Sequence, residues 1–406
     1  MTFFTDPIGF IATWLRGLLA SLGIGDGLVN ITLVVLGVVV IASAVLVIDI
    51  LLVWAERKIV ARLQDRLGPN RLGPFGLIQP VADVIKLLIK EDITPAGADR
   101  VIYNLAPIMA LATVILLWAV IPFGPRILGS DLNVGILFIV ALGALSALSI
   151  IMAGWASNNK YALLGAFREV AKLVSFEIPM VLALLVPVIL ARSMGINQIV
   201  QQQEIWYIVY APLAAIIFFI AAQAELGRAP FDLAEAESEI VAGFHIEYTG
   251  MKFGMFYAGE LLHALTFGAL ISALFLGGWR GPGAETYPLL GVIYFFIKAF
   301  IMYFAIAWVK YSLPRVRIDQ MLNFAWKLLT PMSLALVIVT AILSKLLEGL
   351  QQTSIILYSL SFFVANIVLI FITVQILRRY ARKERIRVAE PKPIARAPES
   401  AISESF

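Results

Sequence analysis

The stretch QAELGRAPFDLAEAESEIVAGFHIEYTGMKFGMFYAGE, residues 223–260, decides the fold and the function of this chain. It lies between apolar runs long enough to cross a membrane, yet it holds seven carboxylates: Glu225, Asp232, Glu235, Glu237, Glu239, Glu247 and Glu260. Glu177 lies one predicted helix away. Ionisable groups within membrane helices are costly to desolvate and usually serve a function. These carboxylates are therefore the candidate functional residues.

The middle of the stretch predicts a turn followed by a short helix. Gly227 and Pro230 end the preceding apolar helix, and Asp232 with Glu235 three residues later predicts an acidic capping box. Glu235 and Glu239 are four residues apart and would share one helical face, where like charges raise each other's affinity for protons. We predict that this pair holds protons near neutral pH.

An alternative interpretation of the stretch is a solvated loop helix with an acidic face. This interpretation does not explain Glu260, which lies about two helical turns beyond Met251 within the next apolar run. Because a solvated face does not reach that depth, we favour a functional series of carboxylates.

The composition places most of the chain in a membrane. Of its 406 residues 61% are apolar and only 14% are charged, and the mean hydropathy is +0.91, whereas a soluble domain is roughly 25% charged. We predict an all-α polytopic membrane protein of about nine transmembrane helices, since about 20 apolar residues span a bilayer. The runs lie near 29–54, 101–122, 134–155, 173–192, 206–226, 253–277, 288–311, 328–347 and 354–377.

The basic residues predict the orientation of these helices. Most of the 31 Lys and Arg residues fall in one set of alternate loops and in the C-terminal tail. The positive-inside rule then places the N-terminus outside and the C-terminus in the cytoplasm. The opposite set of loops holds only Arg16, Arg126, Arg192, Arg280 and Lys345.

We divide the chain into four segments. Residues 1–27 lack a cleavable signal pattern and form an N-terminal interfacial segment. Residues 28–350 form the membrane core, and 351–380 form an extra C-terminal transmembrane helix. Residues 381–406 are basic and then rich in Pro and Ser, which predicts a disordered tail able to lie on anionic lipid.

The content of cysteine and histidine limits the cofactors. The chain has no cysteine and two histidines, His245 and His263, which excludes Fe–S ligation and c-type haem on this chain. We predict no metal and no bound cofactor here. Electrons, if the function needs them, come from a partner.

The first cytoplasmic loop looks like a shaped docking surface. The two Gly-Pro pairs of GPNRLGP, residues 68–74, predict a rigid, non-helical course. After Gln79 and Pro80, apolar and charged residues recur at helical spacing and predict an interface helix. Anchoring by basic residues explains the Lys and Arg of this loop but not Asp65 or Asp83.

Basic residues of later segments are candidate partners of the carboxylates. Arg168 and Lys172 lie four residues apart before Glu177, close enough to neutralise carboxylates or to hold a polar head group. Arg315 and Arg317 are candidate partners of the acidic stretch. Lys298 lies in the seventh span and is expected to seek a carboxylate or water, or to have a lowered pKa.

Four segments together closely resemble the H subunits of bacterial complex I, the proton-pumping NADH:quinone oxidoreductase. They are ERKIVARLQDRLGPNRLGPFGLIQPVADVIKLLIKE (56–91), GWASNNKYALLGAFREVAKLVSFE (154–177), the acidic stretch from Ala224 to Glu260, and RVRIDQMLNFAWK (315–327). The resemblance covers roughly residues 28–345, and membrane-bound hydrogenases have related subunits.

The resemblance implies a quinone chamber formed with a partner that carries the terminal Fe–S cluster. Quinone would be the substrate, and its tail would enter between the first and sixth helices and an amphipathic helix near residues 60–80. The chamber residues implied are Arg57, Gln64, Arg66, Phe253 and Arg228. The proton-coupling residues implied are Glu56, Asp83, Glu177, Glu225, Asp232, Glu235, Glu237, Glu239, Glu247 and Glu260.

The resemblance also implies partners. These are hydrophilic-arm subunits that carry FMN and Fe–S clusters, small membrane subunits beside the antiporter-like ones, and membrane lipid, but no nucleic acid. Three features depart from the family pattern. Lys172 and Phe176 stand where RxxAQxxSYE usually has Gln and Tyr, the ninth span lies beyond an eight-helix family core, and His245 has no assigned role.

Three other functions remain open from the residues. One is the membrane anchor of a hydrogenase-type complex, which need not bind quinone. Another is a purely structural anchor. The third is a stand-alone cation/proton antiporter, in which the ions would be carried by Asp49, Glu177, Glu260 and Lys298.

Overall fold

The computed structural model describes residues 6–21, 25–234, 236–241, 243–349 and 354–389. Within these ranges the chain is helical and has no β-strand; a single bridge pairs Gly124 with Ile127. The all-α prediction is confirmed. The helices are α1 (Pro7–Ser21), α2 (Asp26–Leu63), α3 (Gln79–Ile89), α4 (Arg100–Leu117), α5 (Gly135–Ala156), α6 (Lys160–Ala191), α7 (Ile196–Gln202), α8 (Tyr207–Tyr210), α9 (Pro212–Glu225), α10 (Glu237–Ile240), α11 (Gly250–Phe275), α12 (Pro288–Ser312), α13 (Ile318–Phe324), α14 (Thr330–Leu346) and α15 (Ile355–Ala389).

Eight helices of the described chain are long and apolar enough to cross a membrane. A five-residue π-helical segment, Ala325–Leu329, joins α13 to α14 into one of these spans. The others are α2, α4, α5, α6, α11, α12 and α15. The chain is therefore a multi-pass membrane protein.

The span predicted near residues 206–226 is divided. Ala211 has φ −137° and ψ 64° and separates α8 from α9. The cause is Pro212, because proline disfavours the helical conformation in the residue before it. With 14 residues, α9 is only about 21 Å long, shorter than a hydrocarbon core of about 30 Å.

Helix α11 lies at the centre of the bundle. Of its most apolar window 89% is buried, whereas the corresponding window of α2 is 6% buried. Small residues allow the neighbouring helices to approach closely. At Gly268 a Cβ atom would lie 2.8 Å from the carbonyl oxygen of Ala299, so α11 and α12 pack backbone to backbone.

The chain between α2 and α3 follows the non-helical course that its Gly-Pro pairs predict. A Cβ atom on Gly76 would lie 2.2 Å from the carbonyl oxygen of Pro69, so only glycine fits this turn. Helix α3 then packs against α2 and α11, as predicted for an interface helix. The amphipathic helix is therefore at Gln79–Ile89 and not near residues 60–80.

The C-terminal helix α15 packs against α8, α9 and α14. The buried amide of Asn366 donates to the carbonyl oxygens of Tyr210, at 3.1 Å, and Phe362, at 2.9 Å. The helix continues to Ala389, past residue 381 where we placed the start of the tail. The tail beyond residue 389 lies outside the described part of the chain.

Candidate functional site

A buried arginine joins the turn after α9 to two transmembrane helices. Gly227 has φ 65°, which turns the chain out of α9 and directs Arg228 into the bundle. Arg228 Nε donates to Glu260 Oε1 of α11 at 3.1 Å, and Arg228 Nη2 lies 3.7 Å from Glu56 Oε2 of α2. Burial acts to lower the pKa of Arg228, but Glu260 and Glu56 outweigh it and raise the pKa. The guanidinium therefore remains charged.

Helix α12 contributes a second cation to the same cluster. Lys310 Nζ lies 2.9 Å from Glu56 Oε1 and 3.6 Å from Glu260 Oε1. The hydroxyl of Tyr311 also donates to Glu56. We call Glu56, Arg228, Glu260 and Lys310 the charged junction. Two cations and two carboxylates neutralise one another there, as buried charges require.

A cavity of about 320 Å³ opens onto the charged junction. Its lining includes the charged side chains of Arg228, Glu260 and Lys310 and the aromatic rings of Phe253 and Tyr257. We call this space the junction cavity. An apolar wall with a few convergent polar groups is typical of small-molecule sites.

A second, smaller cavity of about 70 Å³ lies deeper in the bundle, and we call it the inner cavity. It is lined by Glu169 and Lys172 of α6, Glu225 of α9, and Glu260 and His263 of α11. Glu260 lines both cavities. The two spaces therefore meet at one carboxylate.

Lys172, which the sequence places close to Glu177, pairs instead with Glu169. Its Nζ atom lies 2.6 Å from Glu169 Oε2, one helical turn earlier, and both side chains are buried. Glu177, the expected neighbour, is half-buried on the same helix and forms no ion pair with the residues described. The positive charge of Lys172 therefore balances Glu169 first.

Three of the predicted carboxylates pair near the membrane surface. Asp83 accepts hydrogen bonds from Arg57 at 2.6 Å and Lys86 at 3.3 Å. Asp232 accepts one from Arg315 at 2.8 Å, which confirms that Arg315 pairs with the acidic stretch. Glu239 pairs with Arg168.

The loop between α9 and α11 is fixed against the bundle. Asn159 Nδ2 donates to Glu247 Oε1 at 2.6 Å, and the Tyr248 ring stacks on Tyr103 with centroids 4.2 Å apart. Gly243 has φ 65°, and a Cβ atom there would lie 1.7 Å from the carbonyl oxygen of Ala234. The loop is thus a packed part of the site.

The predicted capping box at Asp232 and Glu235 was wrong. Helix α10 begins only at Glu237 and follows Ala236, which makes no side-chain cap. The reason is that Asp232 is engaged by Arg315. Glu235 lies outside the described residues, as does the side chain of Glu237.

Two predicted chamber residues lie apart from the junction cavity. Gln64 and Arg66 are exposed after the end of α2 and bond to each other, with Arg66 Nε donating to Gln64 Oε1 at 2.7 Å. By contrast, Arg228 and Phe253 line that cavity. Lys298, for which a carboxylate or water was one expected partner, donates to backbone oxygens. Its Nζ atom lies 2.8–2.9 Å from the carbonyl oxygens of Leu276, Gly278 and Arg280.

The sequence interpretation missed several residues of the site. Lys310, Tyr311 and His263 were not candidates, and Glu169 was not considered. One signal existed for Lys310 and Tyr311, since they end a span on the same predicted membrane side as Glu56. Among the described residues, no group of three or more His, Cys, Asp or Glu side chains is placed to hold a metal ion.

Comparison with known proteins identifies the family. A family model described as NADH dehydrogenase matches residues 35–341. The chain is 49% identical to the H subunit of NADH-quinone oxidoreductase from Dehalococcoides mccartyi (strain CBDB1) over 304 residues, which are 75% of this chain and 84% of the relative. It is 48% identical to an H subunit of NADH-quinone oxidoreductase from Geobacter metallireducens over 313 residues, 75% and 94% of the two chains.

A third relative is the H subunit of NADH-quinone oxidoreductase from Brevibacillus brevis, 43% identical over 319 residues, 76% of this chain and 94% of the relative. The region matched by the family model contains the whole charged junction and both cavities, whereas α15 lies beyond it. The chain therefore belongs to the family of NADH-quinone oxidoreductase H subunits, membrane subunits of a multi-subunit oxidoreductase complex.

Proposed function

We propose that this chain forms the quinone chamber of its complex and couples quinone reduction to proton translocation. The observation that carries this proposal is the buried charged junction beside the junction cavity, because its Glu260 also lines the inner cavity. A change of charge in one cavity therefore alters the electrostatic potential in the other.

The junction cavity supplies what a quinone head group needs. Aromatic side chains, among them Phe253, provide apolar contact, while Arg228 and Lys310 provide positive charge. Helices α2, α3 and α11 pack together beside it, and the isoprenoid tail enters between them. Arg57, Gln64 and Arg66 then line the part of the chamber that is completed by the hydrophilic arm.

Quinone reduction requires two electrons and two protons. With no cysteine on this chain, the electrons come from Fe–S clusters and FMN on partner subunits. When the quinone takes up charge and protons, the coupled carboxylates of the junction change their proton affinities. This coupling drives proton movement elsewhere in the complex.

The carboxylates form a path from the membrane surface into the bundle. Glu260 lines the junction cavity, and Glu56 pairs with Arg228 and Lys310 beside it. Glu225 lines the inner cavity, and Glu177 lies on α6. We assign proton exchange with the chamber side to the remaining members: Asp83, Asp232, Glu235, Glu237, Glu239 and Glu247.

The orientation follows from the basic loops. The C-terminus lies in the cytoplasm of a bacterial inner membrane and the N-terminus outside. The hydrophilic-arm subunits dock on the cytoplasmic loops, small membrane subunits lie beside the bundle, and lipid contacts the exposed face of α2.

The test begins with isolation of the native complex through a tag on the C-terminal tail. We expect flavin and Fe–S subunits to co-purify and NADH:quinone activity to be blocked by a quinone-site inhibitor. A Ni–Fe partner would instead indicate the hydrogenase-type anchor. Cation/proton exchange by the isolated chain in liposomes would indicate the antiporter.

Coupling is tested in the same complex by the double change Glu235→Gln and Glu239→Gln. Proton translocation per NADH should fall, because two members of the acidic series can then neither bind nor release a proton. Glu348→Gln is the matched control, since that carboxylate pairs with Arg192 at an exposed site outside both cavities. Unchanged proton translocation in the double variant would refute the coupling role of these acids.

A further inference from the structure

His263 is a buried histidine without a hydrogen bond to the described part of the chain. It lies three residues after Glu260 on α11, and only 8% of the residue is exposed. Its ring stacks on Phe267 with centroids 4.8 Å apart and an interplanar angle of 26°. The ring lines the inner cavity. Since buried polar groups are usually satisfied by protein or water, the ring nitrogens are expected to face water there.

The inner cavity has room for water beside this ring. Its volume of about 70 Å³ fits roughly two molecules at about 30 Å³ each. Gly143 keeps part of the space open, because a Cβ atom there would lie 2.8 Å from Glu225 Oε1. Water in this cavity would reach Glu225, Glu260 and the imidazole of His263.

Charged groups line the inner cavity together with the ring. The ammonium group of Lys172 is one of them. The carboxyl groups of Glu169, Glu225 and Glu260 also face the cavity. A neutral imidazole has one N–H donor and one nitrogen acceptor, so it accepts a proton on one side and releases another on the opposite side.

We propose that His263 relays protons between Glu260 and Glu225 through the inner cavity. The carboxylate of Glu260 first takes up a proton from the junction cavity and passes it to one ring nitrogen, while the proton on the other nitrogen passes through cavity water to the carboxylate of Glu225. No electrons move, and exchange with cavity water restores the original tautomer. This inference rests on the proposed coupling function and adds a residue to its path.

The test uses the assembled complex in proteoliposomes with the change His263→Gln. The glutamine side chain retains polar atoms but does not pass a proton between two ring nitrogens. Proton translocation should fall at least about tenfold, in line with loss of a positioned acid–base group. NADH:ferricyanide activity, which reports the flavin subunit, should not change, and the solvent deuterium isotope effect on quinone reduction should rise.

The matched control is Thr266→Val, which changes a buried side chain on the next turn of α11, where Thr266 donates to the carbonyl oxygen of Leu262. If His263→Gln does not assemble, the smaller amide in His263→Asn is measured in its place. Full proton translocation with an unchanged isotope effect in either histidine variant would overturn the relay.

A further variant separates failure of the relay from failure of the proposed function. Glu260→Gln removes the carboxylate shared by both cavities. If Glu260→Gln abolishes translocation and His263→Gln does not, the relay is wrong and the coupling path stands. If both translocate normally, the coupling path itself is wrong.

Discussion

At the residue scale, Arg228 is the side chain on which the junction depends. Replacing it in Arg228→Gln leaves Glu56 and Glu260 with Lys310 as the remaining cation within ion-pair distance among the described residues. Loss of one partner from a buried ion pair costs about 3–5 kcal/mol. We therefore expect a lower thermal midpoint of the purified complex together with loss of inhibitor-sensitive quinone reduction.

The control for Arg228 is Arg192→Gln, which breaks the 2.6 Å pair with Glu348 at an exposed site. Exposed pairs contribute only about 0–1 kcal/mol. Differential scanning fluorimetry should separate the two variants clearly. If the two variants have the same thermal midpoint, the buried ion pairs of Arg228 contribute no more to stability than the exposed pair of Arg192.

The buried pair of Lys172 and Glu169 supports a second residue-scale prediction. Lys172→Gln leaves the carboxylate of Glu169 buried without its cation, so the complex should become less stable. Adding Glu169→Gln removes that unpaired charge and should restore most of the loss. A double-mutant cycle of thermal midpoints measures this coupling, and strictly additive effects of the two changes would contradict it.

The sequence could predict some of these contacts and not others, depending on how far apart the two residues lie along the chain. Arg315 and Asp232 could be paired by opposite charge in two loops on the same predicted membrane side. The contact of Lys310 with Glu56 joins residues 254 positions apart, and no local pattern indicates it. The backbone carbonyls that accept hydrogen bonds from Lys298 follow the end of α11, and no side-chain pattern in the sequence indicates them.

At the element scale, Gly268 sets the contact between α11 and α12. In Gly268→Ala the new methyl group would meet the carbonyl oxygen of Ala299 at 2.8 Å and the backbone nitrogen of Tyr303 at 3.1 Å. Helix α12 would have to move, and with it Lys310 of the charged junction. We expect a stability loss of about 1–3 kcal/mol, as for other overpacked interiors, and reduced quinone reductase activity.

The matched control is Gly37→Ala on α2, where nothing lies within 4 Å of the added Cβ atom. This change should be neutral or slightly stabilising, because alanine favours a helix over glycine. Thermal midpoints of the two complexes, measured side by side, test the difference. If the Gly268→Ala complex is as stable as the Gly37→Ala complex, the close packing of α11 does not limit the stability of the complex.

Helix ends were predicted less well than helix cores. The fourth span was expected at 173–192, but α6 begins at Lys160, and the first span continues to Leu63 as α2. Hydropathy identifies the residues that suit lipid, whereas a helix continues into polar turns as long as its hydrogen bonds are made. Glu56 lies on such an extension, and Asp83, Asp232 and Glu247 lie outside the spanning helices, so their relative positions required the folded chain.

At the scale of the whole molecule, the site and the extra helix are separate. The charged junction is built from α2, the loop after α9, α11 and α12, all within the region matched by the family. Helix α15 packs on the other side of α9, where Asn366 donates to the carbonyl oxygen of Tyr210 at the break before α9. The role of α15 is therefore expected to be support of this broken helix.

This separation predicts the effect of removing the C-terminal helix. A chain that ends at residue 349 should assemble and keep inhibitor-sensitive NADH:quinone activity, because the junction remains complete. Its thermal midpoint should fall, since Tyr210 loses its ring contacts with Tyr358 and Phe362 and one interhelical hydrogen bond worth about 0.6 kcal/mol. Asn366→Leu in the full chain should lower the thermal midpoint only by the contribution of this hydrogen bond. If the truncated complex instead keeps its full thermal midpoint but no longer reduces quinone, α15 takes part in catalysis and does not serve as support.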